Sequence, residues 1–126
     1  MSKPTPTDAE LGILHILWRR GASTVREVHD AISDTKDVGY TTVLKQMQVM
    51  HRKGLLTRSD RFRSHLYEPV QTQAKTQRQL VLAMMEQAFG GSARRLLQSA
   101  LAGRRIDAQE LRDIRALLDE YERTHR

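Results

Sequence analysis

Apolar residues recur along this chain with a helical period, interrupted once by a stretch that reads as two short strands. Leu11, Leu14, Ile16, Leu17 and Trp18 follow Thr7-Asp8-Ala9-Glu10 at helical spacing. Thr7 is a natural cap, and Glu10 three positions on completes a capping box, so a first helix runs to about Arg20 and stops at Gly21. Val25, Val28, His29 and Ile32 predict a short second helix, capped by Thr24 or Ser23, with room for one brief extended segment before it. Residues 33–39 (SDTKDVG) are turn-rich. In YTTVLKQMQVMHRKG, residues 40–54, Val43, Met47 and Met50 form the apolar stripe of a third helix that ends at Gly54, with Arg52 and Lys53 in its last turn.

The alternating stretch comes next. Leu55–Arg58 and Ser64–Glu68 predict two strands around a polar turn, Ser59–Arg63, closed by Pro69. From residue 76 the pattern is helical again. One helix carries Leu80, Leu82, Met84, Met85 and Phe89 up to Gly90-Gly91; the next is capped by Ser92 and carries Leu96, Leu97 and Leu101; the last is capped by Asp107 and carries Leu111, Ile114, Leu117, Leu118 and Tyr121. Three helices, a hairpin and three more helices give a mainly α fold with a small β-hairpin. The first half has the order of a winged helix-turn-helix DNA-binding domain, residues 1–70. The remainder, 71–126, is too thin to close a core alone, which predicts a helical dimerisation domain.

Charge sharpens this picture. The 126 residues carry a net +6, and the pI of about 10.2 suits an acidic partner. The excess is concentrated in residues 39–69, where Lys45, Arg52, Lys53, Arg58, Arg61 and Arg63 face only Asp60 and Glu68. With no cysteine, disulfides and thiolate metal sites are excluded. The five histidines show no paired ligand spacing, so no metal or other cofactor is expected. The start MSKPTPTDAE lacks the apolar core of a signal peptide. The longest apolar run, LVLAMM, is far short of the ~20 residues that span a bilayer. A soluble, cytoplasmic protein without membrane binding is expected. No glycine-rich phosphate loop, nucleophile with a plausible base or clustered carboxylate pair is evident, which argues against an enzyme.

The third helix then has a second use besides packing. Thr41, Lys45 and Gln48 lie on one side, away from the Val43/Met47/Met50 stripe. Thr41 and Thr42 suit a phosphate or a thymine methyl, Lys45 suits guanine O6/N7, and Gln48 suits adenine N6/N7. Arg58, Arg61 and Arg63, with Ser59 and Ser64, suit phosphates flanking the site, while Phe62 at the tip is expected to pack locally. Leu80, Met84, Leu97, Leu101, Ile114, Leu117, Leu118 and Tyr121 are candidate dimerisation residues. A dimer would set two recognition helices about one DNA turn apart, ~34–36 Å, on an inverted repeat.

The runs Thr7–Glu10 through Leu17-Trp18, Ser23–Val28, Tyr40-Thr41-Thr42-Val43, Lys53-Gly54-Leu55-Leu56 and Tyr67-x-Pro69 together resemble the penicillinase-repressor (BlaI/MecI) family of winged-helix regulators of antibiotic response. The resemblance implies a homodimeric repressor on a dyad of double-stranded DNA with TACA…TGTA half-sites. It also implies release when a membrane sensor-protease system triggers cleavage of the C-terminal domain, and it puts Leu44 near the groove. Where the family's best-known members have an Asn-Phe cleavage pair, this chain has Ser99-Ala100. It also lacks the C-terminal cysteines of the copper-responsive branch. One alternative is a ligand-responsive regulator of the multiple-antibiotic-resistance type, with a small-molecule site at the dimer interface. Those chains place a dimerisation helix before the winged helix, and this one begins with the module's own first helix. A winged helix used only for protein contacts would not need the two threonines, Lys45 and the basic wing together.

Overall fold

The computed structural model describes residues 5–61 and 63–126; Phe62 and the first four residues lie outside them. Six helices and one hairpin follow in the expected order: α1 (Asp8–Arg20), α2 (Val25–Ser33), α3 (Tyr40–Arg52), β1 (Leu56–Arg61), β2 (Ser64–Pro69), α4 (Gln73–Ala88), α5 (Ala93–Gly103) and α6 (Ala108–Thr124). The chain forms two compact units that divide within α4, the first ending at Val81 and the second running from Leu82 to Arg126.

Local chemistry explains the boundaries. Thr7 and Thr24 each accept from the backbone N–H three residues on, at 3.2 Å, while Glu10 and Glu27 reach back to the cap N–H at 2.9 Å. Both capping boxes are therefore complete. Gly54 takes φ +84° just past α3, a left-handed conformation in which a side chain would be strained. At α4 the helix begins three residues earlier than the apolar stripe predicts. Thr72 supplies the reason, its hydroxyl accepting from Lys75 N–H at 3.2 Å.

The first strand of the hairpin is longer than the sequence suggests. Ser59, Asp60 and Arg61 are in β1, not in a loop, with Arg58 opposite Tyr67 and Arg61 opposite Ser64. Beyond Leu56 all of β1 is exposed, so there is no apolar alternation to announce the strand. Ser23 adds an isolated rung to β2: its N–H donates to Tyr67 O at 3.1 Å, and Tyr67 N–H returns to Ser23 O at 2.9 Å. That rung is the extended segment expected before the second helix.

The core of the first unit is Ile13, Leu14, Ile16 and Leu17 from α1, Val25 and Val28 from α2, Val43, Met47 and Met50 from α3, with Leu56 and Tyr67 from the hairpin. Trp18 is only partly buried against it, its indole N–H donating to Gln71 O at 3.0 Å. The wing is thus anchored by Tyr67 under α3, and burying these side chains at about 25 cal/mol per Å² is what orders the three helices.

One ion pair ties the two ends of the helical module. Glu10, 5% exposed, accepts from Lys53 Nζ at 2.9 Å, which joins the start of α1 to the residue after α3. Burial raises the Glu10 carboxyl, but the Thr7 N–H and Lys53 outweigh that and leave it below its ordinary value of 4.5. Such a carboxylate binds its proton more weakly in the folded state. It therefore stabilises the fold above about pH 4.5, and this contribution is lost as pH falls through the lower folded-state value. Because Lys53 remains 37% exposed, Glu10→Gln is expected to cost about 1–3 kcal/mol at neutral pH. In urea titrations the gap to wild type should narrow steadily as the pH is taken below 4.5.

Candidate nucleic-acid interface

Helix α3 has three sides with three environments. Val43, Met47 and Met50 are fully buried. Tyr40, Leu44 and Gln48, spaced four apart, face the wing and line a groove of about 370 Å³ that is completed by Arg26, Arg58, Arg63, His65 and Tyr67, among others. Thr42 and Gln46 line a separate depression of about 360 Å³ bounded by α1 and the end of α2, including Gly12, Ile16, Ile32 and Val38. Thr41 and Lys45 are exposed between these flanks. The three faces follow from a 100° step per residue, so Leu44 and Thr42 cannot share a flank.

The same logic separates the wing arginines. Successive strand side chains point to opposite faces. Leu56, Arg58 and Asp60, with His65 and Tyr67 across from them, belong to the face that carries the groove. Arg61 belongs to the other, and its positive charge is close enough to Glu27 to help hold that carboxyl down, behind the larger effect of the Thr24 hydrogen bonds. Asp60 and His65, directly opposite in register, pair at 2.8 Å on the exposed hairpin. Arg58, Arg61, Arg63 and Lys45 make no ion pair among the described residues. The groove therefore has an apolar floor at Leu44 and Tyr67 and unneutralised cations on its walls, which suits a polyanion with hydrogen-bonding edges.

Arg26 and Tyr40 are groove residues that the sequence pattern did not single out. The period-4 run Tyr40-Leu44-Gln48 was available as a signal for Tyr40. Nothing local signals Arg26, which reaches the groove only because α2 packs across α3.

In the second unit no residue of α5 or α6 is buried. Leu101 is 39% exposed, Leu117 67%, Leu118 53% and Tyr121 63%, while Leu97 and Ile114 are half-buried. Met84 is 55% exposed and Leu80 half-buried on α4. Ser99 and Ala100 are exposed within α5, hydrogen-bonded as helix and not as a loop. Among the described residues no helix is long and apolar enough to cross a membrane.

Comparison with known proteins agrees with this geometry. The family described as Penicillinase repressor matches residues 6–120. Transcriptional regulator BlaI of Mycobacterium tuberculosis is 33% identical over 121 residues, 94% of this chain and 86% of the relative. Two solved structures share the fold of the first unit. The DNA-binding domain of the repressor BlaI has a TM-score of 0.53 at 23% identity, and Bacillus licheniformis BlaI, in monomeric form with the blaP half-operator, has 0.51 at 23%. Each covers 58% of this chain, with 89% of its own length matched. The winged helix, its basic groove and these matches together make the chain a member of the penicillinase-repressor family of transcriptional regulators.

Proposed function

We propose that this DNA-binding repressor acts as a homodimer on an inverted-repeat operator, with residues 1–70 holding the DNA and residues 71–126 holding the partner subunit. The observation that carries this is the cationic groove between α3 and the wing, floored by Leu44 and with Gln48 on its wall. Thr41, Leu44, Lys45 and Gln48 meet the major groove, while Thr42, exposed on the flank toward α1, takes a phosphate at its edge. Arg58 and Arg63 take phosphates beside it, and Arg61 takes one from the opposite wing face. The related protein held as a monomer on a half-operator supports a site of two half-sites, one per subunit. The protein is not an enzyme on this reading and works in the cytoplasm.

Release from DNA follows cleavage in the C-terminal domain under a membrane sensor-protease system, at the region of Ser99-Ala100. Because these two residues sit within α5, cutting there requires local opening of the helix.

Duplexes carrying a TACA…TGTA dyad and a shuffled control, titrated against salt, test the assignment. Lys45→Ala should lose ~1–3 kcal/mol of discrimination between the two duplexes. Arg58→Ala should weaken both alike and reduce the salt slope by ~0.9. Equal binding of the two duplexes by the wild type would reject sequence-specific repression.

A further inference from the structure

We infer that Arg26, on α2 and outside the recognition helix and wing, is a DNA-phosphate-binding residue, and that Tyr40 is its positioning residue. The inference rests on the proposed DNA interface and extends it to a third element. Arg26 lies in the first turn of α2, where the helix dipole disfavours a cation. Asp30, one turn along, is spaced for an ion pair, yet Arg26 forms none with it. Glu27 is engaged by the Thr24 N–H and by Arg20 at 3.6 Å. The guanidinium instead lies over the Tyr40 ring, 5.1 Å from its centroid, on the wall of the groove that Arg58 and Arg63 also line.

The ring beneath Arg26 is itself fixed. Tyr40 meets His29 edge-on, with centroids 5.9 Å apart at 79°. His29 Nε2–H donates to Val38 O at 2.8 Å, which ties α2 to the turn before α3. The other ring nitrogen, Nδ1, is buried with no hydrogen-bond partner, 3.9 Å from a carboxylate oxygen of Asp30. Arg26 is thus held where three unpaired arginines converge, an arrangement that repels itself until an anion enters. The stacked guanidinium keeps its fork of donors free for phosphate oxygens.

The test is binding of the full chain to the dyad duplex across a salt series, with uncharged methylphosphonate linkages introduced one at a time through a half-site. Arg26→Ala should lower the salt slope by ~0.9 per bound subunit and weaken dyad and shuffled duplex alike. One linkage position should weaken the wild type but not Arg26→Ala. Tyr40→Phe should keep the wild-type slope. Tyr40→Leu should lose part of it, and should lose nothing more once Arg26 is alanine. The inference is overturned if Arg26→Ala retains the full slope, or if every linkage position weakens Arg26→Ala as much as wild type. It is also overturned if Tyr40→Leu and Arg26→Ala act independently. A wild type without any salt-dependent duplex binding would instead overturn the DNA-binding reading on which it rests.

Discussion

Replacing Leu117 and Leu118 together with glutamate is expected to leave a folded monomer that binds an isolated half-site normally and the full dyad about 100-fold more weakly. The reason lies in how little of the second unit is covered. On α6 Leu117, Leu118 and Tyr121 are all more than half exposed, and no residue of α5 or α6 is buried. Apolar surface of this extent on helices without a fully buried residue calls for a covering surface, which the proposed homodimer supplies by symmetry. Joining two half-site readers makes the second binding event intramolecular, and that advantage vanishes when the dimer does. Sedimentation velocity reads the oligomeric state, and fluorescence anisotropy on half-site and dyad duplexes reads the two affinities. A dimer that survives both substitutions would move the interface elsewhere.

The second large effect is on stability. Tyr67→Ala should cost about 3–5 kcal/mol, a large share of the total for a domain of this size. Tyr67 is 1% exposed and is the largest fully buried side chain among the described residues. It sits where the hairpin, α1 and α3 share one core, with its ring edge-on to His51 at 6.4 Å. Its backbone rung with Ser23 does not depend on the side chain, so the substitution removes packing while leaving that pairing possible. Urea unfolding followed by circular dichroism would measure the loss. Tyr67→Phe, which keeps the ring, should retain most of the stability. If alanine cost less than about 1 kcal/mol, the wing would not be held by this residue.

Much of this was legible in the sequence because helices announce themselves twice, by period and by cap. Thr7 with Glu10 sets the first helix start, and Val43/Met47/Met50 mark the buried side of α3. The sequence leaves Thr24 and Ser23 both open as the second cap, and only the structure shows Glu27 closing a box on Thr24. The hairpin was found but its length was not. Thr57 to Arg61 carries no buried residue, and an exposed edge strand has no hydrophobic alternation to detect. That omission grouped Arg58 with Arg61, which the pleat puts on opposite faces. The long-range features were out of reach for a different reason. Lys53 finds Glu10 43 positions away, and Arg26 meets Tyr40 only through the crossing of two helices.

The most direct test of the central claim is the stoichiometry and affinity of the wild-type protein on one 30–40-base-pair duplex carrying the TACA…TGTA dyad, beside the same duplex with one half-site scrambled. Two chains should bind per intact dyad at a mid-point well below that for the scrambled duplex, with an affinity that falls steeply with salt. One chain per duplex, or identical curves for the two duplexes, would contradict it.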